Sequence, residues 1–147
     1  MDIMRMESGF LHWGHDISPE ENQYQAGLSF TISKKKDVDF IGKKAIEKIK
    51  KEKIKSRFAM FILKDSQPGK PLLLHDEPIY IDDKIIGRST SGNYSFNFKK
   101  NLVFGYINND FSNEELLSKN LFIEVEKYKY PITVQLEPLK RTDFKNL

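Results

Sequence analysis

The sequence predicts an α+β fold in which a helix-containing N-terminal part precedes an all-β region. Residues 40–49 carry apolar side chains at three- and four-residue spacing, which is typical of an amphipathic helix. After Lys55 this spacing largely disappears, and short apolar runs alternate with turn signals. The chain is 39% hydrophobic and contains 11 Phe and 6 Tyr residues, so it can bury a core. The change in pattern places a domain boundary near residues 51–56.

The N-terminal part begins with residues 1–17, whose loose alternation predicts an extended segment that runs into a loop. Ser18 stands before Pro19 and two glutamates, which indicates a helix start or a tight turn. Alternating apolar side chains over residues 26–32 predict a strand. The lysines at positions 34–36 belong to the polar loop that follows.

An amphipathic helix is predicted to begin near Phe40 and to fade by about Lys53. Its apolar stripe consists of Phe40, Ile41, Ala45, Ile46 and Ile49. Seven lysines between residues 43 and 55 occupy the remaining surface. Such a face could attract nucleic acid or an anionic membrane. The stripe is mainly Ile and contains no Trp, however, so a solvated lysine face is the simpler interpretation.

The C-terminal part contains six predicted strands: Arg57–Lys64, Glu77–Asp82, Lys84–Thr90, Leu102–Ile107, Leu121–Glu126 and Tyr130–Glu137. Asp82 and Asp83 predict a tight hairpin turn, residues 126–129 a second one, and residues 113–117 one helical turn. Six short strands indicate a closed barrel or a sandwich, because closure removes exposed sheet edges. The predicted core residues are Phe58, Phe61, Tyr80, Ile85, Phe104, Val125 and Val134.

Composition excludes several classes of function. The formal net charge is +3, from 24 basic and 21 acidic side chains, which is too balanced for nucleic-acid binding over the whole surface. The chain has no cysteine, so disulfides, thiolate zinc sites and a cysteine nucleophile are excluded. The sequence has no run of 18 apolar residues and no recognisable secretory signal. We therefore expect a cytoplasmic location, with neither a membrane nor a nucleic acid as partner.

Residues 4–17 form the most informative segment of the chain. Within a few positions they combine a glutamate, two histidines, the only Trp and two glycines. The segment resembles the R-x-E-x-G … W-G-x-D stretch of the folate-binding aminomethyltransferase family. That family includes the glycine-cleavage T-protein and the C-terminal halves of dimethylglycine and sarcosine dehydrogenases.

The resemblance continues along the chain in the same order. Residues 25–30 are similar to the family's E-A-G-L-x-F, and residues 39–45 to its D-F-I-G-[RK]-x-A. Residues 87–92 stand where the family has G-x-[VT]-T-S-G, and residues 99–106 match its K-x-L-x-x-G-Y. Residues 132–139 resemble the dehydrogenase branch in particular. The similarity therefore covers essentially the whole chain.

This resemblance implies a fold and a function. Residues 1–55 would be the C-terminal part of a folate-binding domain, and residues 56–147 a T-protein-like antiparallel β-barrel of about six strands. In the intact family a flavin domain oxidises an N-methyl amine, and tetrahydrofolate captures the one-carbon unit. The chain would be the C-terminal portion of such an aminomethyl-transfer module.

The same resemblance implies what the chain lacks. The family's catalytic aspartate and the flavin domain lie N-terminal to the matched region, so no catalytic residue is assigned and activity in isolation is not expected. Tetrahydrofolate is expected to bind only together with the missing half. No G-x-G-x-x-G loop is present, so this chain is not expected to bind FAD.

Four residues are cofactor-binding candidates through the resemblance. Glu7 falls on the family's glutamate, which accepts the ring N3–H and the 2-amino N–H of a pterin; the alternative is a solvent-facing glutamate on an edge strand. Lys36 coincides with a basic stretch near the polar side of folate, or else lies in a solvated loop. Trp13 could wall the pterin pocket, although a lone Trp is more often a core or interface anchor. Arg88 lies in a loop that packs towards the folate domain in the family.

Two further motifs are better explained without a ligand. His12 and His15 could suggest a metal, but an extended segment does not bring residues three apart together, so no metal site is predicted. Residues 87–92 superficially resemble a phosphate loop. Asn93 and Tyr94 follow, however, where a Lys and a Ser or Thr are required. A turn or bulge between strands is predicted there.

Folate is the expected small-molecule partner, and other roles stay open. The chain could be a split subunit that docks on an N-terminal partner chain, or on a copy of itself, through an apolar face left by the missing half. It could also be an interaction module without catalysis. A weaker alternative is an anion- or RNA-binding adaptor that uses the lysine helix.

Overall fold

The computed structural model describes residues 2–33, 39–137 and 139. In chain order its elements are α1 (Asp2–Glu7), a 3₁₀ turn (Ser29–Thr31), α2 (Lys43–Lys51), β1 (Ser56–Leu63), β2 (Pro78–Ile81), β3 (Lys84–Ser95), β4 (Lys100–Asn108), α3 (Asn113–Ser118), β5 (Leu121–Val125) and β6 (Tyr128–Gln135). The α+β prediction is confirmed. Within these ranges no helix has the length and apolar character needed to cross a membrane.

The six strands close into a barrel in the order β1-β4-β3-β2-β5-β6, and every neighbouring pair is antiparallel. β1 and β6 complete the closure, with Met60 opposite Gln135 and Leu63 opposite Ile132. Each of these strands therefore has two partners, which satisfies the backbone groups that an edge would expose. The antiparallel barrel is confirmed, and the sandwich alternative is excluded.

Alternate strand residues fill the barrel interior, as the two-residue period of a strand requires. The prediction for Ile85 is wrong, because its side chain is 56% exposed while that of Ile86 is 1% exposed. Neighbouring strand residues point to opposite faces, so only one of the two isoleucines can face the core, and their identical chemistry does not indicate which. The other predicted core residues are buried or half-buried: Phe58, Phe61, Tyr80, Phe104, Val125 and Val134.

The hairpin turns lie where the sequence predicts them. Asp82 turns the chain between β2 and β3 with φ of 51°, and Glu126 and Lys127 do so between β5 and β6 with φ of 51° and 69°. β3 is longer than predicted and extends to Ser95, because it pairs with β4 from Gly87 to Ser95. A register shift between Ser89 and Ser91 marks a β-bulge inside it, which confirms the expectation for residues 87–92.

Two predictions for the N-terminal part are wrong. Residues 2–7 form α1 and not an extended segment, and residues 26–32 contain turns and the 3₁₀ turn, not a strand. A strand needs a neighbour to pair its backbone groups, and among the described residues none pairs with 26–32. A six-residue helix is marginal by itself. It forms here because the barrel buries one of its side chains, a tertiary effect that local alternation does not report.

The helices and the Ser18 turn agree with the patterns that predicted them. The predicted start of α2 near Phe40 is wrong, because the helix begins at Lys43, after Gly42, and leaves Phe40 and Ile41 outside it. α2 ends at Lys51, two residues before the predicted end, and buries none of its side chains. α3 begins with a capping box. The side-chain oxygen of Ser112 accepts a hydrogen bond from the backbone N–H of Glu115, and the backbone N–H of Ser112 donates to the Glu115 carboxylate. Ser18 starts a tight turn in which its backbone N–H donates to Glu21 at 2.8 Å.

Candidate functional site

Helix α1 lies against the barrel and thereby places Glu7, its last residue. The side chain of Met6 is 1% exposed and packs with Met60, Leu102 and Phe104 in an apolar cluster separate from the main core. Burial of a methionine side chain contributes roughly 1.5–3 kcal/mol. Glu7 directly follows this anchor and is half-buried.

A buried ion pair ties the loop after α1 both to α1 and to β3. Asp16 is 1% exposed, and its Oδ2 accepts hydrogen bonds from Arg5 Nη1 at 2.5 Å and from the backbone N–H of His12 at 2.9 Å. Its Oδ1 accepts from Thr90 Oγ1 at 2.6 Å and from Ser91 Oγ at 2.8 Å. We call Arg5, Asp16, Thr90 and Ser91 the Arg5–Asp16 network.

The β-bulge in β3 explains how two consecutive side chains reach one carboxylate oxygen. In a regular strand Thr90 and Ser91 would point to opposite faces. The register shift between Ser89 and Ser91 re-aims the side chains, so both hydroxyls donate to Oδ1 of Asp16. Ser91 also accepts from Arg5 Nη2 at 2.9 Å. The bulge therefore serves to hold the N-terminal segment on the barrel.

Glu7 lines a cleft of about 600 Å³ between α1 and the turn that joins β3 to β4. Its Oε1 accepts a hydrogen bond from Ser95 Oγ at 2.5 Å, and its Oε2 accepts from Asn97 Nδ2 at 2.8 Å. We call this space the Glu7 cleft. The other lining residues are Met4, Ser8, Phe10, Asn97, Phe98 and Leu139. A carboxylate among mainly apolar walls is the arrangement expected of a small-molecule site.

Two other predicted site residues, Trp13 and Arg88, lie outside the Glu7 cleft. Trp13 is 66% exposed, and Arg88 forms an ion pair with Asp76 at the surface. Neither is among the described residues that line the Glu7 cleft. Lys36 lies outside the described residues. The structure thus brings Glu7 together with Ser95 and Asn97, which the sequence analysis did not single out.

A second, polar cleft of about 550 Å³ is lined by Arg88, His75, Glu21 and Tyr106, among others, and the hydroxyl of Tyr106 is buried. Within the described part of the chain that hydroxyl has no hydrogen-bond partner. Burial raises the pKa of Tyr106, and the nearby carboxylates of Glu21 and Asp16 raise it further. The hydroxyl is therefore a protonated donor throughout the neutral range.

A third cleft, of about 830 Å³, lies between the N-terminal segment and the barrel. Its walls are mostly apolar and include Phe10, Phe30, Phe58 and Leu136. Phe10 and Phe30 remain 68% and 75% exposed. Large exposed aromatic side chains around one cleft are typical of an interaction surface.

The two histidines of the motif stack on each other. The rings of His12 and His15 stack with centroids 4.7 Å apart. In residues 2–33, 39–137 and 139 no group of three or more His, Cys, Asp or Glu side chains could hold a metal ion. We assign no metal-binding role to this pair.

Fold and site together define the class of protein: a closed six-stranded antiparallel barrel whose bulged strand carries an N-terminal segment with a half-buried glutamate. Residues 57–140 match the family described as the glycine cleavage T-protein C-terminal barrel domain. The match covers more than half of the chain, and the chain therefore belongs to this family.

Individual relatives agree with this assignment. The mitochondrial dimethylglycine dehydrogenase of Mus musculus is 31% identical over 97% of this chain, and the 4-methylaminobutanoate oxidase (formaldehyde-forming) of Paenarthrobacter nicotinovorans is 33% identical over 94% of it. The chain spans only 16% of the length of each. The glycine cleavage system aminomethyltransferase T of Bartonella henselae has the same fold, with a TM-score of 0.78 and 22% identity over 95% of this chain and 37% of its own.

Proposed function

We propose that the chain is the C-terminal portion of a tetrahydrofolate-dependent aminomethyl-transfer module and that Glu7 recognises the pterin ring. The position of its carboxylate supports this most directly, since Glu7 lines a cleft of about 600 Å³ with apolar side chains beside it. A pterin presents its ring N3–H and its 2-amino group side by side, and a carboxylate accepts such a pair with more energy than two neutral acceptors. Tetrahydrofolate, when bound, supplies the nitrogen atoms that take up the one-carbon unit.

The names of the relatives support a proposal for the substrate class. Dimethylglycine dehydrogenase and 4-methylaminobutanoate oxidase both act on N-methylated amino acids by name. We propose the same general class here, with the oxidation and the acid–base step carried by residues outside the matched region. This chain contributes Glu7 and part of the cavity wall. A cytoplasmic location and a contact of Lys36 with the polar side of folate are parts of the same proposal.

A second candidate function is that of a split subunit or interaction module. The 830 Å³ cleft with its exposed Phe10 and Phe30 favours it. In this case the apolar cleft would receive the portion of a module that this chain does not contain, supplied by another chain.

Titration with tetrahydrofolate tests the main proposal. The 147-residue chain and its Glu7→Ala variant are titrated to millimolar ligand, each alone and each mixed with the part of the Bartonella henselae aminomethyltransferase that this chain does not match. Asp65→Ala, at an exposed position, is the control. Binding that is saturable and lost in Glu7→Ala, in either preparation, supports the proposal. No binding in both preparations, or binding that Glu7→Ala leaves unchanged, overturns it.

The same mixture tests the second function. Formation of a stoichiometric complex, weakened when Phe10 and Phe30 are replaced by Ser, would support docking through the apolar cleft. A complex that forms equally well with the double variant would contradict it.

A further inference from the structure

We propose that Ser95 and Asn97 are positioning residues that hold the Glu7 carboxylate in the orientation needed for two-point recognition of a ligand. The inference rests on the role proposed above for Glu7. It concerns the two donors at the end of β3, which no motif of the sequence pointed to. Their contacts with Glu7 join residues 88 and 90 positions apart in the chain.

Each of the two donors binds a different oxygen of the Glu7 carboxylate. Ser95 Oγ donates to Oε1 at 2.5 Å and Asn97 Nδ2 donates to Oε2 at 2.8 Å. A carboxylate can accept about four hydrogen bonds, two on each oxygen. Each oxygen of Glu7 therefore keeps one acceptor position, and two side-by-side N–H donors on a ligand require one free position on each oxygen.

Asp16 provides an internal comparison. Its carboxylate accepts four hydrogen bonds, two on each oxygen, and is neutralised by Arg5. It has no acceptor position left and serves structure alone. Glu7 is held by two neutral donors, and in the described part of the chain no cation lies within ion-pair distance of it. Its charge is consequently available to a ligand.

The hydroxyl proton of Ser95 has a defined direction. Ser95 is fully buried, and its Oγ accepts the backbone N–H of Phe98 at 3.0 Å while it donates to Glu7. The turn that joins β3 to β4 thus fixes the position of Ser95 Oγ, and Ser95 Oγ in turn orients the Glu7 carboxylate. A glutamate side chain that is already ordered loses less conformational entropy when a ligand binds than one that is free.

Asn97 allows the sharper test, because it is exposed and lies in a turn. Removal of the Ser95 hydroxyl would also break its hydrogen bond with the N–H of Phe98 and would perturb the turn. We would measure tetrahydrofolate affinity for four proteins, each alone and each mixed with the part of the Bartonella henselae aminomethyltransferase that this chain does not match: the wild-type chain, Asn97→Ala, Glu7→Gln and the double variant. Asn93→Ala, at an exposed position on β3, is the matched control. Thermal unfolding confirms that all five fold.

The expected result is a loss of affinity on the order of tenfold in Asn97→Ala, with no further loss when Asn97→Ala is added to Glu7→Gln. Such non-additivity would not arise from a general structural defect. An equal loss in both backgrounds, or no loss in Asn97→Ala, overturns the positioning role while the effect of Glu7→Gln preserves the proposed function. Wild-type affinity in Glu7→Gln overturns the proposed function itself and this inference with it.

Discussion

Asp16 accepts a hydrogen bond from Arg5 at 2.5 Å, and the carboxylate of this pair is almost completely withdrawn from solvent. The two residues belong to the motif that made the first segment of the chain conspicuous. Their role in the structure is mechanical, because together with Thr90 and Ser91 they fasten the N-terminal segment to β3. The motif therefore combines one carboxylate that anchors with another, Glu7, that faces a cleft.

Replacement of Asp16 by Ala is expected to lower the free energy of unfolding by roughly 3 kcal/mol or more. The mostly buried Arg5 would keep only its longer ion pair with the exposed Asp2, at 3.5 Å, and the hydroxyls of Thr90 and Ser91 would lose their acceptor. Denaturant unfolding measures the difference. Asp65→Ala, at an exposed position, serves as control and should change stability by less than about 0.5 kcal/mol. A loss equally small in Asp16→Ala would contradict the anchoring role of the network.

Replacement of Gly87 by Ala should strongly destabilise the barrel. A Cβ at this position would lie 2.0 Å from the backbone oxygen of Tyr106, in the neighbouring strand β4. Backbone cannot move aside as a flexible side chain can, so a loss of about 3 kcal/mol or failure to fold is expected. The control is Lys84→Ala, at the exposed start of β3. The midpoints of thermal unfolding of the two variants measure this difference in stability. Equal midpoints would contradict the close packing of β3 against β4.

Replacement of Tyr106 by Phe should keep or raise stability, by up to about 1 kcal/mol at neutral pH, since it removes a buried hydroxyl that lacks a partner among the described residues. Tyr128→Phe, at a residue that is 70% exposed, is the control. A loss of more than about 1 kcal/mol in Tyr106→Phe would mean that the hydroxyl makes a stabilising hydrogen bond.

The same variant should change the response to alkali. Burial raises the pKa of Tyr106 in the folded chain above its ordinary value of 10.0. Its protonated form therefore favours folding below pH 10, and this contribution is lost as the pH rises above that value. Unfolding followed between pH 8 and 11 should show a shallower loss of stability in Tyr106→Phe than in the wild type. Parallel curves would contradict the pKa assignment.

The fluorescence of Trp13 reports the N-terminal segment directly, because it is the only Trp of the chain. With 66% of its side chain exposed, it should emit like an indole in water, and iodide should quench it nearly as well in the native chain as in denaturant. Strong protection from iodide in the native chain would show that Trp13 packs into an apolar contact.

Much of the barrel could be predicted from local sequence. Period-two apolar runs between turn residues such as Asp82 and Glu126 identify strands and hairpins, because side-chain alternation and turn conformation depend on neighbours in the chain. Local side-chain patterns also predicted α2 and α3. It failed at residues 2–7 and 26–32, where the outcome depends on whether another part of the chain supplies a packing surface or a partner strand.

The sequence by itself determined the family, the barrel and the candidacy of Glu7. Only the tertiary structure decided how the two motif carboxylates differ. Asp16 meets Ser91 from 75 positions away, and Glu7 meets Ser95 from 88 positions away. Burial and hydrogen-bond partners are set by such distant contacts: closure of the barrel and the bulge in β3 saturate Asp16 and leave Glu7 with free acceptor positions at a cleft.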